Sequence, residues 1–291
     1  MTAFFQNLFG GIETGSMYAL ACMGLILIYQ TANMANFAQG TLGMFNAYIC
    51  TMFVLRAGFP LPLAILTSMV IAFVIGAVID RGIMAHARGF AGIGKEIVTL
   101  GFIIVFTGLA PMLFGASDYP FSKIIKSQII DIAGVKIDPN SILTIGLTAV
   151  IMFALFYTLQ FTKIGLAVRV TAANTTVAKL MGVQTSMITT ASWAIATALG
   201  CLTAVLLAPK TNINLTMMAG VHTSTFIASV LGGFQTFYGP VVGALILGVA
   251  NNLVAFYVSS KWASAIVYAL VLIFAVFRPN GLFGKKVVKK V

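Results

Sequence analysis

Long stretches without a single charged residue, separated by short basic or polar links, make up most of the chain. Between Glu13 and Arg56 there is no charge at all, and the polar run NMANFAQG (33–40) divides that stretch. A bilayer core takes about 20 apolar residues per helix. The pattern therefore predicts a first span near 11–30, a second near 41–55 and a third from 58 to about 78. The loop DRGIMAHARGFAGIGKE (80–96) follows, then a fourth span at 97–114. A polar external loop (115–140) comes next, in which IIDIAGVKID alternates enough to form a small hairpin. A fifth span is predicted at 141–161 and a sixth at 186–208, joined by the basic amphipathic link 162–185. The uncharged run from Thr211 to Ser260 is broken by GGFQTFYGP (232–240). It predicts a short or re-entrant segment near 222–234, then a span at 240–258, and a last span follows at 262–277. The expected architecture is all-α: one transmembrane helix bundle over 1–291 with eight or nine membrane segments.

Composition narrows the class. The 291 residues are 60% apolar and 8% charged, against about 25% charged in soluble domains. That excludes an ordinary soluble or disordered chain. The net charge of +11 would suit nucleic acid, but the basic residues sit in short links and at the end of the chain. This is the positive-inside pattern of a multi-pass membrane protein, so no nucleic-acid partner is expected. With the tail and the 80–96 and 162–185 links on the cytoplasmic side, that side carries 11 basic and 2 acidic residues, and the outer side 6 and 4. The beginning, MTAFFQNLF, has no cationic leader region and reads as the approach to a retained first span.

Chemistry-bearing motifs are sparse. Cys22, Cys50 and Cys201 lie in apolar stretches with no CxxC spacing, which suggests neither a disulfide framework nor a zinc site. GFAGIGKE (89–96) contains GxxxxGK, but Glu96 stands where a nucleotide loop needs Ser or Thr, so a flexible link is the simpler reading. His86 lies in a loop and His222 at a predicted membrane edge, as an interface residue rather than a ligand. No catalytic constellation or metal site is visible, and an enzyme is not expected.

Four features bear on what the bundle could do. Glu13 is the one carboxylate at an outer span end, either a pathway or gate group or simply a solvated one. Gly11 and Gly15, and again Gly239 and Gly243, form GxxxG pairs that let helices approach closely in lipid. TANMANFAQG (31–40) and LGGFQTFYGP (231–240) put polar and helix-breaking residues at or near membrane depth. Irregular backbone there is tolerated when it is buried in protein or faces a water-filled path, and transporters place substrate beside such breaks. The alternative is a pair of tight turns between spans. Lastly, the 162–185 link is amphipathic enough to dock a partner or to lie on the lipid surface.

Taken in order, these stretches resemble the permease subunit of branched-chain amino-acid ABC importers of the LivH type. The resemblance rests on GIETGSMYALACMGLILIYQTANMANFAQG (11–40), EIVTLGFIIVF (96–106), IGLAVRVTAANTTVAKLMGV (164–183), FIASVLGGFQTFYGPVVGALILGVANN (226–252) and RPNGLFGKK (278–286). Asn36, Phe37, Ala38 and Gly40 match the family's NFAxG element, with Gln39 where His is common. Ala178 and Gly182 match the A-x-x-x-G core of the coupling motif, with Thr176 at its acidic position. Arg169 and Asn174 fall where the family has a basic and a polar or acidic residue. Gln235, Thr236 and Phe237 stand where it more often has small residues.

The polar breaks, the span-end carboxylate and the resemblance together give an expected substrate pathway that includes Glu13, Asn33, Asn36, Phe37, Gln39, Gly40 and Gln235. The resemblance implies an ATPase-coupling segment that includes Arg169, Asn174, Ala178, Lys179 and Gly182. It also implies partners: two cytoplasmic ATPase subunits that use ATP and Mg, a second permease chain (LivM-like or a copy of this one) and an external or periplasmic substrate-binding protein. No cofactor would be bound by this chain itself. The expected location is a bacterial inner membrane with a cytoplasmic C-terminus. Urea, short amides or other amino acids are alternative substrates, and a secondary transporter driven by an ion gradient is the alternative mechanism.

Overall fold

In lipid no water satisfies backbone N–H and C=O groups, so a spanning segment closes its hydrogen bonds within itself as a helix. The uncharged runs do so in the computed structural model, which describes residues 2–90, 92–126, 128–132 and 134–284. The helices are α1 (Thr2–Ala32), α2 (Gln39–Leu55), α3 (Leu61–Ile79), α4 (Gly92–Phe114), α5 (Pro139–Phe161), α6 (Lys163–Ala173), α7 (Thr175–Leu180), α8 (Thr185–Thr211), α9 (Ala219–Gly232), α10 (Gly239–Tyr257) and α11 (Ala263–Phe277). Among the described residues six are long and apolar enough to cross a membrane: α1, α3 with its extension to Met84, α4, α5, α8 and α10. The chain is a multi-pass membrane protein. At a rise of about 1.5 Å per residue, α2, α9 and α11, with 17, 14 and 15 residues, fall short of the roughly 30 Å hydrocarbon core.

Most boundaries lie within a few residues of those the sequence predicts. Three segments differ. Residues 2–10 extend α1 well beyond the expected start at 11. The 80–96 link is mostly helical: α3 runs on through a π turn (Asp80–Met84) and a 3₁₀ turn (His86–Gly89), and α4 already begins at Gly92. The 162–185 link forms two short helices, α6 and α7. The expected hairpin is present, with β1 (Ile130–Ile132) antiparallel to β2 (Val135–Ile137). Lys285, Lys286, Lys289 and Lys290 of the basic tail lie outside the described residues.

Two antiparallel helices, α1 and α8, form the centre and are buried along most of their length. Gly24 of α1 lies against Ala196 of α8, and Glu13 against Lys210. The rest repeats around them in inverted order. Beside α8 runs α2, with Gly43 against Gly200; beside α1 runs α9, with Cys22 Sγ donating to the Thr225 carbonyl at 3.4 Å. Antiparallel to α8 lies α3, Gly76 meeting Trp193; antiparallel to α1 lies α10, Gly11 meeting Val249. The units α1–α4 and α8–α11 thus correspond as inverted repeats do in transporters. Each unit has its break at an asparagine with positive φ, Asn33 (52°) or Asn212 (58°).

The two polar interruptions singled out in the sequence are therefore not equivalent. The counterpart of the 31–40 break is the 212–218 link, not 231–240. The latter is a tight turn between α9 and α10 in which Gly232 and Gly239 pack backbone to backbone. The segment after α11 lies over this turn, Leu282 and Phe283 donating backbone N–H bonds to the carbonyls of Leu231 and Gly232 at 2.8 and 3.2 Å.

Candidate substrate path and coupling surface

The polar break after α1 folds inward. Asn36 and Gln39 are almost fully buried, so each must find hydrogen bonds inside the protein. Asn36 Oδ1 accepts from the Ala38 N–H at 3.0 Å, and its Nδ2 donates to Gln39 Oε1 at 3.3 Å. Gln39 Nε2 then donates to the Ala196 carbonyl of α8 at 2.7 Å. The backbone of the break is held by α4: Ala35 N–H donates to Glu96 Oε1 and Phe37 N–H to Thr99 Oγ1, both at 3.2 Å. From the opposite side comes α9. The Phe226 ring stacks on Phe37 with centroids 5.1 Å apart, and His222 packs edge-on to Phe226 and against Gly40.

Asn36, Phe37, Gln39 and Gly40 are therefore brought together, along with four residues that the sequence pattern does not place there: Glu96, Thr99, His222 and Phe226. His222 lies beside the break, against Phe226 and Gly40. Its Nε2 is buried with no hydrogen-bond partner among the described residues. The i, i+4 spacing of His222 and Phe226, on a helix that also carries Ser224, Thr225 and Ser229, was the available signal.

The other pathway candidates lie elsewhere. Asn33 and Gln235 share a cavity of about 480 Å³ with Tyr29, Gln160 and Arg169. Glu13 lies at the opposite end of α1, buried, with its Oε2 2.7 Å from Lys210 Nζ. The seven candidates thus occupy three places along the bundle.

The 162–185 segment owes its shape to its caps. Thr162 Oγ1 accepts from the Gly165 N–H at 3.1 Å to start α6, and Asn174 Oδ1 accepts from Thr176 and Val177 at 2.9 and 3.1 Å to start α7. The Arg169 guanidinium donates to the Gln160 carbonyl at 3.2 Å and ties α6 to the end of α5. Ala178 is the fully buried residue of α7. Gly182 ends the unit with φ +81°, a conformation that suits glycine, and an added Cβ would meet open space. Val177, Leu180 and Met181 are exposed, Leu180 to 84%. Three apolar side chains on so short an element form a surface ready to be covered. Lys179 faces a second cavity, of about 610 Å³, together with Asp80, Arg88 and Lys95.

The packing glycines divide between two interfaces. A Cβ on Gly11 or Gly15 would lie 2.7 or 2.9 Å from the Cα of Val249 or Leu245, so α1 and α10 touch through backbone. Their counterpart on α10 is Gly248, whose Cβ would lie 2.4 Å from Gly15. Gly239 and Gly243 instead face α9, at Gly232 and Ala228.

Residues 7–276 match the family described as branched-chain amino acid transport system, permease component. The high-affinity branched-chain amino acid transport system permease protein LivH of Salmonella typhimurium is 27% identical over 310 residues, covering 99% of this chain and 98% of that protein. The corresponding protein BraD of Pseudomonas aeruginosa is 26% identical, with the same coverage of 99% and 98%. Among solved structures, PsaBC from Streptococcus pneumoniae in complex with Fab is 15% identical with a TM-score of 0.49, covering 94% of this chain and 91% of that one. The chain belongs to the family of permease components of branched-chain amino acid transport systems.

Proposed function

We propose that this chain is the membrane-spanning permease subunit of an ATP-driven importer that moves branched-chain amino acids inward. The observation that carries the reading is the α6–α7 unit: two capped short helices with an exposed apolar surface, in a chain matched by a permease family along nearly its whole length. That surface suits two ATPase subunits, one on this chain and one on a second permease, LivM-like or identical. ATP and Mg would be used there, and none by this chain. A binding protein would deliver substrate at the opposite end, where the loop 115–140 lies.

The basic end is then cytoplasmic, with the C-terminus on that side, in a bacterial inner membrane. With α2, α9 and α11 added to the six long helices, the bundle has nine segments, α9 being the short one. The whole chain acts as one permease domain. Motion of α7 against the ends of α1, α3 and α8 would switch the central break between outward and inward access. The path would be weakly selective, with most of the selection left to the binding protein.

The test is reconstitution with the partner subunits and a panel of labelled solutes. ATP-dependent uptake of leucine without urea is the expected result. Uptake of urea or short amides in its place would overturn the substrate, and uptake driven by a proton gradient alone would overturn the mechanism.

A further inference from the structure

The cavity of about 480 Å³ at the end of α5 is walled by aromatic rings and a single cation. Tyr29 of α1, Phe156 of α5, and Phe234, Phe237 and Tyr238 of the turn before α10 supply the rings, and Arg169 of α6 supplies the charge. None of the chain's six acidic residues lines it. Arg169 belongs to no ion pair among the described residues. Its partner is neutral: Nη2 donates to the Gln160 carbonyl at 3.2 Å, and Nη1 reaches Gln160 Oε1 at 3.5 Å. A guanidinium carries five N–H donors in a fork that matches a phosphate. One glutamine leaves both the charge and part of that fork unanswered.

The cavity meets the surface at Gln160 and Ala173, both exposed. Next to that rim, α5 shows Phe153, Tyr157 and Phe161, which are 73%, 56% and 74% exposed. A spacing of four puts them on one face of the helix. Because α5 is long and apolar enough to span, this face is a surface for acyl chains, and its rings near the helix end mark headgroup level. The apolar α7 surface assigned above to an ATPase does not line the cavity. Basic pockets between spanning helices on the cytoplasmic side suit anionic lipid headgroups. We infer that this cavity seats the headgroup of an anionic phospholipid, with its phosphate on Arg169 and one acyl chain along Phe161, Tyr157 and Phe153. The inference rests on the placement of the basic end at the cytoplasmic membrane face and not on which solute is carried. A lipid seated there bridges α6 of the coupling segment to the end of α1 and to the turn before α10.

The test is native mass spectrometry of the full chain, purified in detergent without partners and titrated with phosphatidylglycerol or phosphatidylcholine. Phosphatidylglycerol should be retained in preference to phosphatidylcholine by about fivefold or more. Arg169→Gln should lose that preference. Because Arg169 also ties α6 to α5, Ala173→Trp is the second variant: it keeps the charge, fills the cavity from its exposed rim and should weaken phosphatidylglycerol binding by a similar factor. Lys163→Met, on the same helix but outside the cavity lining, should bind as the parent chain does. Phosphatidylcholine retained as well as phosphatidylglycerol would overturn the site, and so would binding unaffected by both Arg169→Gln and Ala173→Trp. Displacement of the lipid by millimolar inorganic phosphate would reduce the cavity to a free-anion site, and displacement by added ATPase subunits would make it a protein contact; either result overturns the lipid assignment. All of these leave the proposed function standing, because no transport is measured.

Discussion

Asn33 and Asn212 hold the same left-handed backbone sign, φ 52° and 58°, at equivalent points of the two inverted units. Each ends one of the two most buried helices and turns the chain toward a shorter one, α2 or α9. At Asn212 ψ is 170°, so the backbone lies in a positive-φ region that is essentially reserved for glycine and costs a side chain about 1–3 kcal/mol. Asn212→Val should therefore lower the melting temperature of the purified chain in detergent, while Asn212→Gly, which relieves the strain, should raise it. Equal melting of both variants would show that the break does not depend on the asparagine backbone.

The contact of α1 with α10 leaves no space for a side chain at Gly15. Gly15→Val should cost at least the roughly 1–3 kcal/mol typical of overpacking and reduce the monodisperse fraction in size-exclusion chromatography. Gly101→Ala on α4, where an added Cβ meets nothing within 4 Å, is the matched control and should run as the parent chain does.

Glu13 and Lys210 are unequal partners. The Glu13 side chain is 5% exposed and that of Lys210 is 43% exposed. Removing the lysine strands a buried carboxylate, whereas removing the acid leaves a lysine free to turn to water. Lys210→Met should accordingly destabilise more than Glu13→Gln, by about 1–3 kcal/mol. The double variant should recover part of the loss in a double-mutant cycle of thermal unfolding.

At the other end, Gly182 holds α7 in place with φ +81°, and Arg169 ties α6 to α5. Gly182→Val and Arg169→Glu should each abolish substrate-stimulated ATP hydrolysis in the assembled transporter, with membrane insertion retained. ATPase assays on reconstituted complexes, alongside protease mapping of insertion, separate the two effects. Unchanged stimulation would refute the coupling role of the segment.

Much of the chain's architecture is legible in the order of its residues. Uncharged runs become helices because lipid leaves an unpaired backbone no alternative. Their ends fall where Asn, Gly, Pro and charge appear, and Thr162 and Asn174 are residue types that cap helices, standing where α6 and α7 begin. The identity of each helix's neighbour was not legible. A span such as α1 is apolar all round, without an amphipathic stripe to say which face is buried. Small residues suit close packing wherever they occur. It takes the folded bundle to pair Gly15 with Gly248, to leave Gly239 and Gly243 to α9, and to set His222 against Gly40 at the break. Likewise the fold brings Glu13 to Lys210, and Asp80 to Thr190 and Arg88. Where the chain is helical follows from local polarity in a lipid solvent, and the amino-acid order carries that information without further help. Which polar groups meet does not follow from it, because Glu13 and Lys210, or Asp80 and Thr190, stand far apart in the chain and are joined only when their helices pack.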